Sequence, residues 1–405
     1  MIPFSPPRID QKIIDEVTDT LRSGWITTGP RTKLFEKKLT AYGGQKATLC
    51  VSSGSAGLEL MLRWFGVGPG DEVILPAYTY AATANVIIHC GATPVFVDVN
   101  KDDMNISVSC IADAITEKTK VIMPVDLGGF PCDYDEINAL VKRDDIWEKF
   151  NPGSMEQEKL GRILILSDAA HSIGAVYKGR KAGALTDITV YSFHAVKNLT
   201  TAEGGAVCLN LPKVFDNEEI YRELNIKSLH GQSKDALAKF QVGNWRYDIQ
   251  EAGYKYNMTD IQAAMGLVEL ERYDDDMLPR RKEIFDQYTR GFGKHNWFQS
   301  PVYETGEKKS SYHAYFLRIR NIDEETRDKI IQNIFQKEVS VNVHYVPLPM
   351  MSFYKQMGFD IENYPVSYDN YSREISLPVY YDLIDDQVSK VIDSVISAVE
   401  KNAGS

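Results

Sequence analysis

The chain has 405 residues, 43% hydrophobic and 25% charged, with a net charge of −11. This is the composition of a folded globular protein, and it excludes a largely disordered chain; at about 150 residues per domain, two or three units are expected. The acidic balance and the lack of a basic stripe argue against a nucleic-acid binder.

From Ile9 to Leu21, apolar residues recur at helical spacing (Ile9, Ile13, Ile14, Val17, Leu21), which predicts a helix. GWITTGP at 24–30 reads as a loop, and Lys33–Tyr42 as a second helix. From residue 47 to about 210, short apolar runs alternate with helical segments. Strands are expected at 47–53, 71–76, 93–99, 120–125, 162–168 and 188–193, with a helix at 56–65. These runs lack a polar face, as strands do when a mainly parallel sheet is covered on both sides, so an α/β domain is expected. GVGPGD at 66–71 precedes a strand rather than coming after one, so it reads as a turn and not as a dinucleotide loop.

Asp144–Arg162 is polar and predicts a helix with an exposed excursion, and 212–256 is mixed and polar. Asp260–Tyr273 is helical in spacing, with Thr259 as N-cap. Strands near 313–320 and 339–345 and closing helices describe a smaller α+β domain. The expected division is an arm and substrate loop at 1–30, a large α/β domain at 31–255 and a smaller domain at 256–405.

The five cysteines are widely spaced with no CxxC, so neither a disulfide framework nor a zinc ribbon is expected, and a reducing cytoplasm is the simplest setting. The N-terminus lacks a charged segment leading into an apolar run, and no apolar stretch approaches 18 residues. Neither a signal peptide nor a membrane span is expected. The seven histidines show no HxH or HExxH spacing, so no metal is expected.

Two residues stand out in 167–207. Asp168 closely follows the apolar run Ile163–Leu166, at the carboxyl end of an expected parallel strand, where open α/β sheets place ligands. Lys197 comes after the next strand, in a loop ending at Gly204–Gly205. An acid and a lysine thus reach one rim of one sheet. An imine-forming lysine beside a carboxylate that keeps a pyridine nitrogen protonated is the minimum apparatus of a pyridoxal-phosphate site. Taken singly, such an Asp caps a helix or forms a turn, and such a Lys is solvated. SSGSAGLEL at 52–60 is a strand, a small-residue turn and a helix; Gly54 permits close approach, Ser53 and Ser55 offer hydroxyls, and the helix start offers amides to an anion. Many structural turns look alike. Tyr80, after the strand ending at Pro76, could stack on an aromatic ring or pack in the core; Ser192 could donate to a phosphate or end a strand.

The chain resembles the DegT/DnrJ/StrS family of nucleotide-sugar aminotransferases nearly end to end. The resemblance rests on SGWITTGP (23–30), SSGSAGLEL (52–60), SDAAHSIG (167–174), YSFHAVKNLTTAEGGAV (191–207), GYKYNMTDIQAAMGLVEL (253–270), VHYVPL (343–348) and ISLPVYYD (375–382). It implies a fold type I pyridoxal 5'-phosphate enzyme, with a mainly parallel seven-stranded sheet sandwiched by helices and a smaller C-terminal α+β domain. Lys197 matches the Schiff-base lysine, Asp168 the carboxylate at the ring nitrogen, and Tyr80 the stacking residue. Gly54, Ser55 and Ala56 match the phosphate turn, Ser192 a phosphate contact, and His171 a residue near the ring. Asn257 matches a residue reaching the neighbouring subunit's cofactor, which implies a homodimer with shared sites. Trp25–Thr28 and His344 are expected to shape substrate binding. Ser167 departs from a common Glu, and Ser55 from a common Thr, but a hydroxyl is kept at 55.

A dehydratase branch carries His at the lysine position, so Lys197 disfavours dehydration. SFHAVKNLTTAEGG looks like enzymes that aminate carbon 4. The resemblance implies amino transfer from L-glutamate to a UDP-, dTDP- or GDP-linked 4-keto-6-deoxy sugar, for surface polysaccharide or glycan synthesis. A sugar 3-aminotransferase, a cyclitol aminotransferase and a non-catalytic cofactor-binding regulator are the alternatives.

Overall fold

Short runs with no exposed face build the centre of the molecule. The computed structural model describes residues 1–233 and 246–403. Its main sheet has seven strands: β1 (Ala47–Val51), β2 (Glu72–Pro76), β3 (Thr93–Val97), β4 (Thr119–Ile122), β5 (Leu164–Asp168), β6 (Ile188–Ser192) and β7 (Gly205–Leu209). Their spatial order is β1-β7-β6-β5-β4-β2-β3. All run one way except β7, which lies antiparallel between β1 and β6. Sequence patterning did not separate β7 from the Lys197 loop. The other strands stop one to three residues short of several expected ends, where the chain turns toward the rim.

Alternation sorts each strand between two cores. Ile163 and Ile165 face one cluster with Cys50 and Cys208, while Leu164 and Leu166 face the other with Leu49 and Val207. Burial on both faces explains the continuous apolar runs. The cysteines are free, and four are buried.

Local signals set the helices. Helix α1 (Gln11–Arg22) starts at Asp10, whose carboxylate accepts from the Ile13 amide. Helix α2 (Pro30–Gly43) takes in Pro30, which was expected in the loop; proline suits the first helical position because its missing N–H bonds nothing there. It stops at Gly44, whose φ of 76° favours glycine. Helix α3 (Gly54–Trp64) comes after β1, and α4 (Ala81–His89) after β2. The polar stretch 212–256 contains α5 (Asn217–Lys227), capped by Asp216; residues 234–245 of that stretch lie outside the described residues. Between 144 and 162 the chain forms two short helices, Asp144–Trp147 and Met155–Leu160. Helix α6 (Asp260–Glu271) has Thr259 as N-cap in a reciprocal capping box with Gln262, and it packs on α1 and α2.

Beyond α7 (Leu278–Phe292) lies a three-stranded antiparallel sheet of β8 (Phe298–Gln299), β9 (Tyr315–Ile319) and β10 (Glu374–Leu377). Its core includes Phe285, Leu317 and Ile375, with Ile330 of α8 (Glu324–Gln336) and Val391 of α9 (Asp385–Ala403). The strand expected at 339–345 does not form. Val339 bridges Ile2 and Asn342 bridges Ser376, each as a single isolated pair. The chain then leaves the sheet as a loop carrying His344 and Tyr345. Among the described residues, no helix is long and apolar enough to cross a membrane.

Candidate active site

Because β1, β2, β5 and β6 run in one direction, the segments after them all arrive at one edge of the sheet. There a cleft of about 350 Å³ is lined by Gly54 and Ser55 after β1, Tyr80 after β2, Asp168 at the end of β5 with His171 beyond it, and Ser192 at the end of β6 with Lys197 beyond it. His344 and Tyr345 enter it from the loop before β10. A smaller lobe of about 40 Å³, also lined by Lys197, His344 and Tyr345, adds Phe4 and Ser5 from the N-terminus.

Asp168 is buried and accepts from the Thr83 hydroxyl at 2.8 Å and the Ala170 amide at 3.2 Å. Burial pushes its carboxyl upward, against the pull of Thr83, Ala170 and Lys197. Burial also pulls the Lys197 ammonium down to about 8, against Asp168. Desolvation therefore outweighs their mutual attraction, and among the described residues no ion pair joins them. The Lys197 amide donates to the His194 carbonyl at 2.8 Å, which fixes the turn that presents the side chain.

At α3 the Ser53 hydroxyl accepts from the Ala56 amide at 3.0 Å, so Ala56 is already capped from within the turn and does not line the cleft. The Gly54 and Ser55 amides remain as N-terminal donors, since the first amides of a helix have no intrahelical acceptor. A Cβ on Gly54 would come 3.1 Å from the Ser192 Cβ, so glycine keeps open the gap between the helix start and β6. Tyr80 is 63% exposed, which rules out the core-packing fate; its ring centroid lies 5.7 Å from that of Tyr345.

His344 gives its backbone N–H to Glu374, its Nδ1 lies 2.8 Å from the Ser376 hydroxyl, and Phe4 stacks on its ring at 5.4 Å. Burial and then Lys197 pull its imidazole down to about 4. Thr28 and Asn257 are not brought to this cleft. They pair with each other, the Asn257 amide donating to the Thr28 hydroxyl at 2.7 Å, and Thr28 donating to the Met258 carbonyl at 2.5 Å. Sequence reasoning missed Thr83, His313 and Tyr345. Tyr345 had a signal, its place beside His344 in VHYVPL; Thr83 had none, being brought to Asp168 only by the fold.

A buried carboxylate, helix amides beside an open glycine gap, and an exposed aromatic ring lining the same cleft suit a flat ligand that is cationic at one end and anionic at the other. Pyridoxal phosphate is such a molecule. Cleft and layered sheet together define a fold type I pyridoxal-phosphate enzyme.

The chain belongs to the DegT/DnrJ/EryC1/StrS aminotransferase family, which it matches over residues 7–148 and 155–396. It is therefore an aminotransferase that uses pyridoxal phosphate. It is 40% identical to the uncharacterized protein MJ1066 of Methanocaldococcus jannaschii, over 99% of this chain and 98% of that one. Identity to the spore coat polysaccharide biosynthesis protein SpsC of Bacillus subtilis is 38%, over 98% of this chain and 97% of that one. Among solved structures, the pyridoxal-phosphate form of Spr1654 from Streptococcus pneumoniae, provisionally assigned as a sugar aminotransferase, superposes with a TM-score of 0.93 at 46% identity, covering 99% of each chain.

Proposed function

We propose that this enzyme transfers an amino group from L-glutamate to a nucleotide-linked 4-keto-6-deoxy sugar, giving a 4-amino sugar for a surface polysaccharide or glycan. The observation that carries the reading is the meeting of Lys197 and Asp168 at one rim, with burial bringing the Lys197 amine down to about 8. The naming of SpsC for spore coat polysaccharide biosynthesis supports the destination. Helicobacter pylori PseC, an aminotransferase of pseudoaminic acid biosynthesis, is 28% identical at a TM-score of 0.85 and supports the sugar class.

Pyridoxal phosphate supplies an aldehyde to carry the amino group and a ring that holds the electron pair left when a carbon-bound proton departs. The chain's residues do the rest. Lys197 would anchor the cofactor, and its amine, once freed, would move the proton at the donor's α-carbon. Asp168, oriented by Thr83 and the Ala170 amide, would hold a negative charge at the ring nitrogen. Gly54, Ser55 and Ser192 would hold the phosphate, with Ala56 shaping the turn, and Tyr80 would cover the ring. His171 would lie beside it. His344 contacts the sugar, and Thr28 and Asn257 serve the neighbouring subunit's cleft in a homodimer.

The half-reaction tests this. Glutamate should convert the loaded enzyme to its amine form, and a nucleotide-linked 4-keto-6-deoxy sugar should discharge it. Discharge only by a 3-keto-sugar or a cyclitol ketone would move the enzyme to those classes. Bound cofactor that glutamate cannot convert would mark a non-catalytic regulator.

A further inference from the structure

The cleft contains a hydroxyl, that of Tyr345, to which the proposed transamination assigns no role. The Gly128 backbone N–H lies 3.3 Å from His171 Nδ1, and an amide can only donate, so Nδ1 accepts. Burial, and then Lys197, hold His171 well below its ordinary value, so the imidazole is neutral and its one proton is on Nε2. Nε2 faces the Tyr345 hydroxyl at 3.1 Å. Tyr345 therefore accepts from His171, and its own proton is left for another acceptor. Among the described residues the hydroxyl has no other hydrogen-bond partner. Tyr345 lines both lobes of the cleft with Lys197.

The parts behind this arrangement are fixed. His171 stacks on His313 at 4.2 Å. His313 Nδ1 lies 2.8 Å from the Asn198 carbonyl oxygen, whose amide end donates to the Ser311 carbonyl at 2.7 Å. The Ser311 hydroxyl donates to the His171 carbonyl. Gly128 has a φ of 62°, a left-handed conformation that lets its amide turn toward the ring. Burial, and then Asp168, push the Tyr345 phenol upward, so it stays a donor.

We propose that Tyr345 is a hydrogen-bond donor of the Lys197 cleft, its proton turned inward by His171, serving an oxygen acceptor on the bound reactants. The inference rests on the reading of this cleft as the transamination site. The acceptor is a carbonyl or phenolate oxygen, from the substrate ketone or from the hydroxyl-bearing edge of the cofactor. A fixed donor at such an oxygen stabilises negative charge without reorganising at the moment of reaction.

The first test needs no cofactor or substrate. Imidazole ¹⁵N shifts of His171, assigned with a His171→Gln variant, should show Nε2 protonated and Nδ1 not; the opposite tautomer overturns the proposal. The second uses the loaded Tyr345→Phe enzyme. With the ketone as acceptor, kcat for the keto-sugar half-reaction falls about 10²-fold while KM changes little. With the cofactor oxygen as acceptor, the pH midpoint of the visible absorbance moves by about one unit or more. A Tyr345→Phe enzyme unchanged in both overturns the role. His171→Leu should match Tyr345→Phe, and His171→Gln, whose amide can still donate, should lose less; equal loss in both overturns the positioning by His171. Wild type inert in both half-reactions, with the expected tautomer present, would instead discard the transamination reading alone.

Discussion

Lys197 and Asp168 bring opposite charges to one cleft, yet burial moves each toward neutrality. For Lys197 the sign is direct. With a value of about 8, the amine is mainly protonated at neutral pH and free above. Competitive acetylation of the cofactor-free protein should show Lys197 reactivity rising about tenfold per pH unit up to that value and levelling above it. A midpoint near the ordinary lysine value of about 10.4 would mean that the ammonium is solvated. Asp168→Asn keeps the Thr83 contact in shape but removes the charge. Turnover should fall by about three orders of magnitude, some 4 kcal/mol in the barrier, with cofactor retained. A loss under about tenfold would take Asp168 out of its proposed role.

At the scale of elements, what could be read in advance depended on how local the cause was. β5 and β6 announce themselves because both faces are buried and neither strand shows an alternating polar face, so Asp168 and Lys197 could be placed at a rim from sequence alone. The Thr259 cap of α6 is equally local. The start of α2 is not: its N-cap is Gly29, with no side chain, and the cap comes from Asp260 across 230 residues of chain. The buried Asp260 carboxylate accepts from the Gly29, Arg31 and Thr32 amides at 2.8, 3.0 and 2.9 Å, and from the Thr32 hydroxyl at 2.7 Å. Asp260→Ala should cost about 3 kcal/mol, read as a lower urea midpoint, because buried amides lose their acceptor. An unchanged midpoint would show that water replaces it. The 339–345 run misled for a related reason. Its apolar residues satisfy single bridges and the cleft wall rather than a ladder, and periodicity cannot tell these fates apart.

At the scale of the whole molecule, Tyr78, Leu127, Phe316 and Tyr371 form an apolar cluster that joins the two sheets, so the loop carrying His344 and Tyr345 is seated against the rim carrying Lys197. Thr28 and Asn257 bond each other and do not line their own chain's cleft, which fits their proposed service to a neighbour. Lys197→Ala and Asn257→Ala subunits should each be inactive alone. Random mixing should restore about a quarter of wild-type activity, since half the dimers are hybrids with one intact site. No recovery would place both residues in the same subunit's site. The central claim is a covalent one, and it can be read directly. The pyridoxal-phosphate-loaded protein is reduced with borohydride, digested and mapped. The account predicts the cofactor fixed to the peptide carrying Lys197 and to no other; a tag on a different lysine, or none, would contradict it.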